Sequence, residues 1–160
     1  MPATPSVGEP APDFALPDEH GAIHRLSDRR DGWTIVYFYP KDDTPGCTVE
    51  ACAFRDANEA LIGAGAVVWG ISPDGARSHS RFREKFDLPF PLLSDEDHAT
   101  AEAYGAWVEK TKYGRTYMGV QRSTYLVGPD GRVAAAWPTV KPEGHAGEVA
   151  AALEAAKAAQ

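Results

Sequence analysis

Two cysteines five positions apart, Cys47 and Cys52, are the residues of this sequence best suited to chemistry. Their C-x4-C spacing is not the C-x2-C of thioredoxin-type oxidoreductases, and no second cysteine pair completes a zinc site. Two cysteines are too few for a disulfide scaffold, so the pair suggests redox chemistry or half of a metal site. Thr44 can cap a helix with Pro45 at its first position, where the missing N–H costs nothing. Cys47 then falls in the first helical turn, where unpaired N–H groups and the macrodipole favour a reactive thiolate. The same position serves a cysteine that merely packs, since free cysteines are often buried. Asp42, Asp43 and Glu50 oppose a thiolate by like charge, so a cation must approach from elsewhere in the chain. On spacing alone, Cys52 reads as a core cysteine on the apolar stripe of the same helix.

The elements around Cys47 must position it. Residues 33–39 are β-branched and aromatic almost throughout, the pattern of a central strand in a covered sheet. Pro40 ends that strand, and Lys41-Asp42-Asp43 forms a polar loop. Reactive groups in such sheets sit at the C-terminal ends of strands beside helix N-termini, which is where this loop lies. The helix after Thr44 is expected to place Val49, Cys52, Ala53, Ala57, Ala60 and Leu61 on one apolar face. Glu50, Arg55 and Glu59 then lie largely outside, and Gly63 and Gly65 stop the helix. Further on, residues 66–71 predict a buried strand, 76–86 a charged amphipathic helix, and 95–104 another helix. Residues 120–127 and 132–137 predict a hairpin turning at Pro129-Asp130-Gly131, and 143–156 an alanine-rich helix. Before residue 33, a proline-rich extended segment is anchored by Phe14 and Leu16, and 23–26 forms a short strand. The class is α/β, a mixed central sheet covered by helices on both faces, in one domain over residues 1–160.

Composition narrows the functions. With 43% hydrophobic and 24% charged residues the chain is an ordinary globular sequence. A formal charge of −7 weighs against nucleic-acid partners, and no apolar run approaches a membrane span. The opening Met1-Pro2-Ala3-Thr4-Pro5-Ser6 has neither a basic nor an apolar signal region, so a cytoplasmic chain is expected. His20 and His24 flank a turn glycine and read as solvated histidines rather than metal ligands. Ser78-His79-Ser80 opens a charged helix and lacks the nucleophile elbow of a hydrolase. Gly63-Ala64-Gly65 follows a helix and precedes a strand, the reverse of a dinucleotide loop. Trp107 and Tyr113 serve a pocket mouth or a core and rim role equally well.

The run from Tyr39 to Cys52, YPKDDTPGCTVEAC, resembles the active-site signature of the peroxiredoxins. It is most similar to the bacterioferritin comigratory protein, or peroxiredoxin Q, branch. Gly8-Glu9-Pro10-Ala11-Pro12-Asp13-Phe14, Tyr104-Gly105-Ala106-Trp107 and Gly119-Val120-Gln121-Arg122-Ser123-Thr124 resemble further blocks of that branch. The resemblance implies a thioredoxin-like fold and a thiol peroxidase. It makes Cys47 the peroxidatic and Cys52 the resolving cysteine, with Thr44 and Pro40 as pocket partners. Arg122 becomes the arginine that reaches in from a distant strand, Glu50 the residue that orients it, and Tyr39 a supporting aromatic. No metal or organic cofactor is implied. The expected partners are hydrogen peroxide or a small organic hydroperoxide and a dithiol reductant such as thioredoxin, with the chain a monomer. A non-catalytic redox sensor that switches a binding partner is the alternative, and a protein disulfide reductase is disfavoured by the cysteine spacing.

Overall fold

Strand β3 (Trp33–Phe38) is buried at every position because both of its faces are covered. Its alternation sends Ile35 and Tyr37 into one core layer and Val36 and Phe38 into the other. The computed structural model describes residues 4–159. Met1, Pro2 and Ala3, counted in the extended amino-terminal segment, lie outside the described residues.

Five strands form the central sheet: β3, β4 (Ala66–Ser72), β5 (Leu92–Ser94), β8 (Ser123–Val127) and β9 (Val133–Trp137). Their order is β5-β4-β3-β8-β9, with β4 and β5 parallel to β3 and β8 antiparallel to it. Helices α1 (Pro45–Gly63), α2 (Ala76–Phe86) and α4 (His145–Ala158) pack on the Ile35–Tyr37 face. Helix α3 (Ala99–Ala103), with Phe14 and Leu26, covers the other face. This is the thioredoxin-like α/β arrangement that the sequence implied. A small hairpin, β1 (Ala15–Pro17) with β2 (Ile23–Arg25), stands beside it.

Three features depart from the sequence reading. Residues 120–127 are not one strand: β7 (Arg115–Val120) pairs with β6 (Trp107–Lys112) in a separate hairpin, and β8 starts afresh at Ser123. The strands of this hairpin are polar and largely exposed, so they carry little apolar periodicity. Its signal was the Tyr113-Gly114 turn, where both residues take positive φ (53° and 75°), as a two-residue hairpin loop requires. The helix expected over 95–104 keeps only its later part. The Asp95 carboxylate stays outside and accepts the N–H groups of Thr100 and Ala101 at 3.1 and 2.9 Å.

The third departure is the buried face of α1. It consists of Cys47, Glu50, Ala51, Phe54, Asn58 and Leu61. Val49 is exposed, Cys52 is half-buried, and Glu50 lies inside rather than outside. Phe54, the largest apolar side chain of the helix, sets the phase. It stacks on Tyr37 with ring centroids 4.9 Å apart, and the 3.6-residue period then turns Cys47, Ala51, Asn58 and Leu61 inward.

Candidate active site

The polypeptide leaves β3 through Tyr39 and Pro40, crosses the Lys41-Asp42-Asp43 loop and enters α1 after Thr44. Thr44 occupies the N-cap with extended backbone, and its carbonyl accepts the Thr48 N–H at 2.8 Å. Its side chain does not cap the first turn. The hydroxyl donates to the Lys41 carbonyl at 3.0 Å, which leaves the oxygen's lone pairs free to accept a hydrogen from a ligand. Pro40 is half-buried at the mouth of this loop. Cys47 sits one turn in, its side chain turned toward the sheet and only 1% of the residue exposed.

The cation that Cys47 needs arrives through strand register. Phe38 pairs with Ser123, so the amino-terminal end of β8 lies beside the carboxy-terminal end of β3. Arg122, in the break between β7 and β8, is thereby delivered to the start of α1. Its Nη2 donates to Cys47 Sγ at 3.3 Å and its Nη1 to Glu50 Oε1 at 2.8 Å. The Arg122 carbonyl accepts the Val140 N–H, which anchors the backbone of the break. Gly46 allows the approach: a Cβ there would stand 3.0 Å from Arg122 Nη2 and 3.5 Å from Pro142. The sequence reading missed Gly46 and Pro142. A glycine in the first turn of a helix was the available sign of the former.

Burial pushes the Glu50 carboxyl up to about 7, against the opposing pull of the Arg122 guanidinium. Glu50 is 0% exposed and its Oε2 has no hydrogen-bond partner. Burial works against the charge on Arg122, but Glu50 and Cys47 outweigh it and raise its affinity for the proton. Lys110, on β6, is a second cation within electrostatic range of this centre. Burial and then Arg122 lower its pKa, while Cys47 raises it.

Behind the loop lies a buried polar cluster. Asp42 Oδ1 accepts the Tyr39 hydroxyl at 2.5 Å, and Oδ2 accepts the Ser78 hydroxyl at 2.8 Å. His79 Nδ1 is 2.7 Å from the same Oδ2, and His79 Nε2 is 3.1 Å from the Leu93 carbonyl. Tyr39 therefore supports the loop through Asp42. Ser78 and His79 are not a hydrolase pair, because both bond Asp42 and neither activates the other.

The structure brings Cys47, Arg122, Glu50, Thr44, Pro40 and Tyr39 around one loop. Cys52 lies a turn further along α1, with both cysteines as free thiols. Tyr113 is 93% exposed at the hairpin tip, and Trp107 stacks flat on His98 at 3.8 Å. His24 is not a solvated histidine: its Nε2 pairs with Asp18 Oδ2 at 2.8 Å and its ring meets the edge of Trp69. Among the described residues no group of three or more His, Cys, Asp or Glu could hold a metal ion, and no helix is long and apolar enough to cross a membrane.

A buried thiol on a helix N-terminus, held by an arginine from a distant strand, is joined by a family match. Residues 7–136 fit the sequence profile of the AhpC/TSA family. The chain belongs to that family. Peroxiredoxin Bcp of Bacillus subtilis is 44% identical over 151 residues, covering 94% of this chain and 96% of its own length. The structure of Xanthomonas campestris peroxiredoxin Q superposes with a TM-score of 0.85 at 42% identity, covering 89% of this chain and 90% of that one. A second structure from that organism, a bacterioferritin comigratory protein described for alkyl peroxide reduction, gives 0.84 at 41% identity with the same coverage. This chain is therefore a peroxiredoxin of the Bcp/peroxiredoxin Q branch, a thiol peroxidase with a thioredoxin-like fold.

Proposed function

We propose that this peroxiredoxin reduces hydrogen peroxide and small organic hydroperoxides, alkyl hydroperoxides among them, through a Cys47–Cys52 cycle. The contact of Arg122 Nη2 with Cys47 Sγ at the start of α1 is the observation that carries this reading. The Cys47 thiolate attacks the terminal oxygen of ROOH, forming the S–O bond as the O–O bond breaks. Arg122 and the first-turn N–H groups oppose the charge that spreads over sulfur and both oxygens. The Thr44 oxygen accepts the O–H of the bound peroxide and so orients it. RO⁻ leaves and takes a proton to become ROH, and Cys47 is left as the sulfenic acid.

The Cys52 thiol then attacks that sulfur and water departs, giving the Cys47–Cys52 disulfide. An external dithiol, thioredoxin or a similar protein, returns both thiols and carries away the disulfide. This cycle needs no metal or organic cofactor. It assigns catalysis to Cys47, Cys52, Thr44 and Arg122, with Pro40, Glu50 and Tyr39 in support. The proposal further takes residues 1–160 as one domain that works as a monomer in the cytoplasm, without nucleic-acid or membrane partners.

Single-turnover peroxide consumption tests the assignment. Cys47→Ser should consume none, whereas Cys52→Ser should consume about one equivalent and then accumulate oxidised Cys47. Equal loss of the first turnover in both variants would refute the division of roles. Sustained NADPH oxidation with thioredoxin and its reductase separates an enzyme from a sensor that reacts once.

A further inference from the structure

Asp42 is a carboxylate, 7% exposed, in the loop that leads into the helix of the reactive cysteine. A charge there works against a thiolate at Cys47. The two sit on one short loop and helix start: Tyr39, which bonds Asp42, packs in the same core cluster as Cys47. Among the described residues Arg122 makes no hydrogen bond to Asp42, and its two terminal nitrogens are engaged by Cys47 and Glu50.

The answer comes from the opposite side of the loop. The Leu93 carbonyl can only accept, so His79 Nε2, 3.1 Å away, carries a hydrogen. Asp42 accepts from Tyr39 on one oxygen and from Ser78 on the other, the surroundings of an ionised carboxylate. His79 Nδ1, 2.7 Å from Oδ2, then donates as well. With Asp42 as a carboxylate, this contact is a buried imidazolium–carboxylate pair, its histidine 0% exposed.

We propose that His79 is a positioning residue for peroxide reduction: through Asp42 it cancels the charge behind the Cys47 loop and fixes the path of that loop. The second role follows from the connections. Tyr39 ties Asp42 to the end of β3, Ser78 and His79 tie it to α2, and Leu93 ties His79 to β5. The Asp42 N–H donates to Asp74 Oδ2 at 2.8 Å, and Ser72 holds that same oxygen. Arg81, Glu84 and Lys85 of α2 line the open cleft outside Asp42, and Lys85 is paired with Asp43 at 2.8 Å. Among the described residues His79 is the cationic group that bonds the Asp42 carboxylate.

The inference rests on Cys47 as the attacking thiolate, and the test separates the two. The pH profile of the first turnover is measured for wild type, His79→Gln and the double variant Asp42→Asn/His79→Gln. Glutamine leaves the charge of Asp42 unanswered, so the acid limb should move up by about one pH unit, a roughly tenfold loss of rate below the limb. The double variant removes both charges and should return the limb to its wild-type position. A purely structural role would lower the melting temperature without moving the limb. An unshifted limb in folded His79→Gln overturns the inference, as does a double variant that stays shifted. A Cys47→Ser variant that keeps the first turnover overturns the cysteine assignment instead. Should His79→Gln fail to fold, 15N NMR of the wild type decides: both ring nitrogens of His79 bear hydrogens at pH 7, and a neutral imidazole there refutes the inference.

Discussion

Arg122 and Cys47 meet at 3.3 Å although 75 positions separate them in the chain. The same guanidinium bonds Glu50 at 2.8 Å, so one planar fork spans a sulfur and a carboxylate three residues apart on a single helix. Fork geometry makes the arrangement possible. The two terminal nitrogens point in fixed divergent directions, and Glu50 holds one so that the other is aimed at sulfur.

Arg122→Lys should therefore lose much of the peroxide rate although charge is retained. A single ammonium cannot face Glu50 and Cys47 at once, and the more exacting ion pair with buried Glu50 will hold it. Loss of a charge-assisted hydrogen bond of about 1.5–3 kcal/mol in the transition state corresponds to a roughly tenfold to hundredfold slower first turnover. Stopped-flow peroxide kinetics check this, and wild-type kinetics in the lysine variant would remove Arg122 from the mechanism.

Gly46→Ala should slow the reaction without weakening the fold. Alanine is the better helix former by about 1 kcal/mol, but its Cβ would meet Arg122 Nη2 at 3.0 Å. Arg122 must yield by a few tenths of an ångström, and misplacement on that scale costs about tenfold in rate. The expected outcome is an unchanged or higher melting temperature with a slower first turnover. Undiminished kinetics would show that the fork has room to spare.

Glu50 makes stability depend on pH with a definite sign. Its folded-state value, pushed up by burial from 4.5 to about 7, exceeds the unfolded one. Between those values the folded chain binds more protons, so this group's contribution falls as pH rises through the window. Urea denaturation of wild type and Glu50→Gln at pH 4.5 and pH 7.5 measures the difference. Wild type should lose ground to the glutamine variant on going to the higher pH, and a constant difference contradicts the assignment.

Disulfide formation should unwind the amino-terminal part of α1. The helix runs unbroken from Pro45 to Gly63 with both cysteines inside it. Five residues rise about 7.5 Å along the axis, and the rotation between them puts the Cα atoms roughly 8–9 Å apart. A disulfide needs about 6.8 Å or less. Because Cys47 is the buried partner and Cys52 only half-buried, the loss of burial falls mainly on the first turn. Hydrogen exchange over residues 46–56 should rise on oxidation in wild type and stay low in reduced protein. An oxidised structure with the bond inside an intact helix would sink the unwinding step and leave the peroxidase assignment standing.

Much of this was legible in the chain. The β-branched run of β3, the Thr44-Pro45 helix start and the two cysteines are local signals, read from spacing and side-chain type. Resemblance added Arg122, which no local pattern marks. The phase of α1 is hidden in the pattern because small alanines outnumber the one side chain that decides it, and Phe54 chooses its face by stacking on Tyr37.

The α/β class, the loop that carries Cys47 and the need for a distant cation are written in local patterns, because propensities, caps and like charges act over a few residues. The three-dimensional packing was needed to show how Arg122 is shared between Cys47 and Glu50, that Glu50 is buried, and that His79 lies behind Asp42. Those contacts join positions such as 42 and 79, or 47 and 122, through the register of β3 with β8 and the packing of α2 against the sheet. Register and packing arise from the whole set of side chains competing for the same interior, so short-range pattern cannot express them.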